Sequence, residues 1–114
     1  MTMLDPAPPP APPAGLEHAA RQILAGLGEY GSVAANLAAC GIRGTRSAPT
    51  GCPVATLLHT RLGARGLTNV RVSTVCIELT IAGGRHVEFA TPAHIALFVD
   101  DFDLGLHPAL ETAA

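Results

Sequence analysis

Two glycines constrain this chain more than any other pair of residues. Gly83 and Gly84 separate two runs in which apolar and polar side chains alternate, Val75–Ile81 and Arg85–Ala90. Alternation at a period of two marks strands with one buried face, and glycines between such runs mark a hairpin. The register follows from the side chains. A two-residue Gly-Gly loop would pair Leu79 with Glu88 and mix the faces. A three-residue loop, Ala82-Gly83-Gly84, pairs Leu79 with Val87 and Ile77 with Phe89, and gives glycine the left-handed position such loops need. It also sets Glu78 opposite Glu88 on the wet face, a like-charge pair that costs roughly a few tenths of a kcal/mol.

Upstream of the glycines the pattern breaks. Val70 and Val72 are apolar on even positions, whereas Val75, Ile77, Leu79 and Ile81 are apolar on odd ones. One strand cannot bury both sets on one face. The expectation is a strand over Val70–Ala82 with a β-bulge or break at Ser73–Thr74.

Helical signals flank this ribbon. Leu16, Ala19, Ala20, Ile23, Leu24 and Leu27 form one apolar stripe, so a first helix is expected over Leu16–Leu27. Ser32 reads as the cap of a second helix, Val33–Cys40, closed by Gly41 with Ile42 folding back on Leu37. Arg43–Gly51 reads as an irregular loop. Cys52 is then the cap of a third helix, with Pro53 at the first helical position and Gly66 as its stop. Thr91-Pro92 starts a fourth helix that runs to about Leu104, with Ile95, Phe98, Val99 and Phe102 inward and Gly105 ending it.

The order predicts an α+β fold: three N-terminal helices, a bulged antiparallel β-hairpin and a C-terminal helix, with the helices packed on one sheet face. The expected organisation is a Pro/Ala-rich disordered leader over 1–14, a single domain over 15–110 and a frayed tail over 111–114. The leader carries six of the ten prolines and one charge, Asp5. Its overlapping P-x-x-P stretches lack a basic flank, so a spacer is a better reading than a ligand for a proline-reading domain.

Several function classes recede on composition. The net charge of −2 argues against a general polyanion binder. No apolar run approaches the length of a membrane span, and the three cysteines follow no signal peptide, so reduced thiols and a cytoplasmic location are expected. Charge is divided unevenly. Residues 15–65 carry five arginines against two glutamates, and residues 66–114 carry two arginines against six acids. Halves of opposite sign attract within one fold or between two copies.

Short motifs carry a resemblance. Gly41-Ile42-Arg43-Gly44, then Cys52-Pro53-Val54-Ala55 with Leu58, then Thr91-Pro92 leading to Phe98-Val99-Asp100-Asp101-Phe102-Asp103, Gly105 and Pro108 are similar to a group of short actinobacterial and phage-associated hypothetical proteins. The resemblance spans about Val33–Leu110 and implies a host lineage and a common small fold, with no activity attached. This chain departs from the pattern at Asp100-Asp101, where basic residues are expected in many such proteins.

Four features bear on chemistry. Cys52 at a helix N-terminus faces free N–H groups, which lower a thiol pKa, and Arg43 and Arg46 in the preceding loop add to that if the loop folds over it. His59 lies two turns away, about 10 Å, which is too far to serve as its base. The plainer reading of Cys52 is a small buried capping residue. No C-x-x-C or H-x₃₋₅-H spacing exists, so no metal site and no cofactor are expected. His86 with Glu78 and Glu88 on the polar sheet face reads as a solvated surface. Three helices and a hairpin are also the elements of a winged helix, whose third helix would offer Thr56, His59, Thr60 and Arg61, but too few cations accompany them for phosphate contacts. Asp100, Asp101 and Asp103 oppose the dipole of the fourth helix at about 0.3–1 kcal/mol each when exposed. Solubility explains such a run, and so does a partner with arginine side chains.

These readings together point to a small non-enzymatic regulatory or interaction protein, self-associating or bound to another protein, with Arg43, Arg46, Asp100, Asp101 and Asp103 as the binding candidates. A winged-helix-like DNA binder and a thiol enzyme or redox sensor built on Cys52 are the alternatives.

Overall fold

In the computed structural model, which describes residues 13–112, the hairpin takes the register expected of it. Strands β2 (Cys76–Ile81) and β3 (Arg85–Ala90) pair Leu79 with Val87, Ile77 with Phe89 and Glu78 with Glu88. Gly83 and Gly84 both have positive φ, at 93° and 82°, as the three-residue turn requires.

The break at Ser73–Thr74 is deeper than a bulge. The chain reverses there, so the expected single strand is two: β1 (Leu67–Val72) and β2 are antiparallel neighbours in a three-stranded sheet of order β1-β2-β3. Ser73 closes the turn. Its hydroxyl oxygen accepts from the N–H groups of Val75 and Cys76, each at 3.1 Å, and its own N–H donates to the Cys76 carbonyl at 3.0 Å. The switch from even to odd apolar positions is what such a reversal demands. Val70 faces Leu79 and Val72 faces Ile77, all four buried, while Val75 projects into solvent from the turn. A true register shift occurs earlier, between Leu67 and Asn69.

Four helices complete the α+β fold: α1 (Pro13–Ala25), α2 (Tyr30–Ala39), α3 (Pro53–Leu62) and α4 (Ala93–Asp103). Three precede the sheet and one follows it. Helix α3 packs on β1, α1 packs on β3, and α2 lies against α4. Between them sits one apolar core that includes Leu16, Leu37, Leu58, Ile77, Leu79, Phe98 and Phe102. No buried polar or charged residue interrupts it among the described residues.

Several boundaries move for identifiable reasons. Helix α1 starts at Pro13, so the leader gives up its last two residues, and residues 1–12 lie outside the described chain. Ser32 does not cap α2. It sits inside the first turn and its hydroxyl lies 3.0 Å from the Glu29 carbonyl and 3.2 Å from that of Leu27. Thr91 does not cap α4 either, because its hydroxyl donates to the Ser73 carbonyl at 2.8 Å and ties the β1–β2 turn to the helix entry. Helix α3 ends at Leu62 and passes through a 3-10 turn, Gly63–Arg65, before the left-handed Gly66. Leu67 then opens β1. Of the tail expected to fray, Glu111 and Thr112 are paired: Glu111 forms a parallel bridge with Gly44, and the Thr112 N–H donates to the Gly44 carbonyl at 2.8 Å. Residues 113 and 114 lie outside the described chain.

Candidate functional site

Cys52 caps α3 as its position implies. Its Sγ accepts from the Ala55 N–H at 3.4 Å, with Pro53 at the first helical position. The thiol is not activated by this. Cys52 is only 2% exposed, and burial pushes its pKa up, with the charge of Asp103 adding to the effect and outweighing the N–H groups that pull it down. The expected lowering of the thiol pKa is therefore corrected: desolvation outweighs the helix terminus. The histidines on α4 and after it are engaged elsewhere. His94 Nε2 lies 3.0 Å from the Leu24 carbonyl, and His107 stacks on Phe98.

Of the five binding candidates, Arg46, Asp100 and Asp103 lie around the junction of the 43–51 loop with the end of α4. Arg46 Nε pairs with Glu111 Oε1 at 3.0 Å and lays its guanidinium against Gly105. Asp103 accepts at Oδ1 from the N–H of Ser47, which holds a left-handed conformation at φ 56°. Both are thus used to fasten the 43–51 loop to the C-terminal segment. The dipole penalty at Asp103 is offset by that hydrogen bond. Asp101 is half-buried, while Arg43 and Asp100 are exposed. Asp100, Asp103, Ser47, Ser73 and Thr74 border a polar cleft of about 330 Å³ whose floor is Cys52, Val72 and Val99.

His59, Thr60 and Arg61 on the outer side of α3 are exposed, and Thr56 is half-buried. Thr56, His59 and Thr60 line a crevice of about 340 Å³ against Thr68 and Asn69 at the start of β1.

Two arrangements escape the sequence. The first follows from how the helices stop. Helices α2 and α4 end in the same glycine motif, in which the N–H two residues past the cap reaches back to a carbonyl one turn earlier. In α2 the Ile42 N–H reaches the Leu37 carbonyl at 3.1 Å, and Ile42 and Leu37 are both buried. In α4 the Leu106 N–H reaches the Asp101 carbonyl at 3.0 Å. An aspartate there offers Leu106 no apolar contact, and Leu106 is 60% exposed. Leu104 and Leu97 on the same helix are 67% and 53% exposed. Leu97 and Leu104 are seven residues apart and share one face, with Asp100 between them.

The second lies on the open face of the sheet. Cys76, Glu78 and Glu88 bring a sulfur and two carboxylate oxygens to within 4.8 Å of one another. His86 Nε2 stands 3.6 Å from Glu78 Oε1, and Arg71 Nε 3.8 Å from Glu78 Oε2. A hydrogen bond to Glu88 pushes the Cys76 thiol up, reinforced by partial burial and by the charges of Glu88 and Glu78. The hairpin register contains the signal that finds this cluster. Continuing from Glu78–Glu88 by two residues sets Cys76 opposite Ala90 and diagonal to Glu88.

The three cysteines should differ in reactivity. Cys40 is exposed, Cys76 is half-buried with its pKa raised, and Cys52 is enclosed with its pKa raised. A raised pKa leaves less thiolate at any pH near neutrality. Alkylation followed by peptide mass spectrometry is expected to mark Cys40 first, Cys76 more slowly and Cys52 last, with Cys76 gaining most as the pH rises above 8.5. Labelling of Cys52 as fast as Cys40 in the folded chain would contradict the geometry.

No family model, curated protein or solved structure matches this chain.

Proposed function

We propose that this chain is a small non-enzymatic interaction protein that offers the outward side of α4 and the turn after it to a protein partner. The observation that carries this reading is the exposure of Leu97, Leu104 and Leu106 around Asp100. Single apolar residues on a surface need no explanation, but Leu97 and Leu104 on one side of α4, followed by Leu106, which the stop motif leaves bare where α2 buries Ile42, invite a partner. Asp100 between Leu97 and Leu104 favours a partner with arginine side chains. The resemblance to short actinobacterial proteins adds a lineage and no activity.

Self-association is the second reading, and a separate observation favours it. Strand β3 is an edge of the sheet. Two copies of β3 pairing antiparallel about Val87 set Glu88 of one copy against His86 of the other and Val87 against itself. Registers shifted by two residues in total set Glu88 against Glu88 or His86 against His86 instead. Among the registers that keep the polar faces of both copies on one side, the one centred on Val87 avoids setting like against like.

Photo-crosslinkable residues at 97 and 104, introduced into the chain in its host, are expected to give one discrete adduct that Leu106→Glu abolishes. Light scattering across salt concentrations identifies the partner. Doubling of the mass points to a second copy, and a monomer with a discrete adduct points to another protein. A monomer that forms no adduct at either position overturns the proposal.

A further inference from the structure

We propose that Cys76, Glu78 and Glu88 form a binding site for a divalent transition-metal ion, with zinc as the ion that suits their chemistry. The site is independent of the partner surface on α4 and belongs to the open face of the sheet.

The geometry supplies three converging donors. Cys76 and Glu78 are two residues apart on β2 and therefore project from the same face, and Glu88 stands directly opposite Glu78 on β3. The Sγ and the two carboxylate oxygens lie within 4.8 Å of one another. Zn–S bonds of about 2.3 Å and Zn–O bonds of about 2.0–2.2 Å place adjacent donors of a tetrahedral shell roughly 3.3–3.8 Å apart. The donors therefore stand within about 1.5 Å of the spacing of a bound shell, a difference that side-chain torsions can supply. The backbone beneath is fixed, because Ile77, Leu79 and Phe89, which alternate with the donors, are buried in the core. Ser73 further pins the N–H of Cys76.

The donor set separates this cluster from a solvated acidic face. Two carboxylates alone suit calcium or magnesium, but a thiolate is a soft ligand that those ions avoid and that zinc, cobalt and related ions accept. Arg71 and His86 both reach Glu78, whereas a divalent cation between the carboxylates would remove the repulsion between Glu78 and Glu88 directly. Arg71 stands at Oε2 of Glu78, so Glu78 binds the ion through one oxygen. His86 Nε2 lies 3.6 Å from Oε1 of Glu78 but is not one of the three converging donors, so water or a partner's donor completes the shell. When the metal–sulfur bond forms, the thiol proton passes to solvent, so one proton is released for each ion bound.

Cobalt is the probe. The reduced full-length chain titrated with Co²⁺ is expected to develop a thiolate-to-cobalt charge-transfer absorption that saturates at one ion per chain and disappears on addition of Zn²⁺. Cys76→Ser should abolish the band, and Glu88→Gln should weaken binding at least tenfold, while Cys40→Ser leaves both unchanged. Cys76 is half-buried on the polar face, so the serine variant is expected to keep the wild-type circular dichroism, and a fold check accompanies each titration. No saturable band in the wild-type chain, or a band of equal strength and affinity in Cys76→Ser, overturns the proposal.

Discussion

Replacing Phe98 by alanine is expected to remove about 3–5 kcal/mol of stability. The chain has three phenylalanines, and Phe98 is one of the two largest side chains wholly enclosed in the core. It lies in the middle of α4, its ring stacked at 6.0 Å on Phe102 and at 5.2 Å on His107. Its removal therefore loses transfer energy and leaves a void between α4 and the segment after it. A domain of this size holds about 5–15 kcal/mol in total, so the loss is a large share. Urea unfolding should show a lower midpoint with an unchanged slope, and the melting temperature should fall by more than about 12 °C. Leu97→Ala, one residue away and exposed, should stay within about 0.5 kcal/mol. Equal effects at the two positions would mean that α4 faces the core differently.

That contrast between neighbours was readable from periodicity, as was most of the fold. The stripe Ile95, Phe98, Val99, Phe102 is buried in full. The hairpin register could be argued residue by residue, because a slip by one exchanges the faces and only one loop length kept Leu79 and Phe89 on the apolar side. The reversal at Ser73 was visible only as a fault in parity. A bulge and a turn both repair such a fault, and Val75, apolar and in phase with Ile77, read as a continuation of the strand. What decides for a turn is the Ser73 side chain, whose hydroxyl satisfies two N–H groups that a continuous strand would leave to a neighbour. Hydroxyl-backbone contacts of this kind have no periodic signature. The same limit moved the caps of α2 and α4, where Ser32 and Thr91 spend their hydroxyls on other carbonyls.

The candidate sites were less legible, for two different reasons. For Cys52 the sequence shows the helix terminus and conceals the burial, and burial dominates: the same geometry that supplies N–H groups also shuts out water. For Asp103 and Arg46 the sequence shows unpaired charge, because Ser47 and Glu111 lie 56 and 65 positions away in the chain and meet them only through the fold. The Cys76 cluster is the reverse case. Cys76 is alone in sequence and acquires Glu78 and Glu88 from strand geometry alone, so a cysteine that matched no metal-ligand spacing becomes a ligand candidate once the register is drawn.

Gly44→Ala is expected to destabilise the chain by about 3 kcal/mol, at the upper end for overpacking, although it adds a single methyl group. A Cβ at this position would collide with the Pro53 nitrogen and lie 2.6 Å from the Cys52 carbonyl carbon and the Gly51 oxygen. All three are backbone atoms at the start of α3, so none can swing aside. Retreat in the other direction is closed as well, because Gly44 is held there by its N–H to Leu110 and its carbonyl to Thr112, both at 2.8 Å. The methyl group must therefore either break the bridge to the C-terminal segment or lift the 43–51 loop from the helix it covers. Both movements uncover Cys52. The variant should unfold at lower urea and, while still folded, alkylate at Cys52 faster than the wild-type chain does. Two other glycines set the scale. An added Cβ at Gly51 meets side-chain atoms no closer than 3.4 Å, and at Gly63, which is helical at φ −56°, it meets nothing within 4 Å. Gly51→Ala should cost under about 1 kcal/mol, and Gly63→Ala should stabilise by about 0.4–1 kcal/mol through the unfolded chain alone. If Gly44→Ala behaves like either, the loop does not press on α3, and the enclosure of Cys52 has another cause.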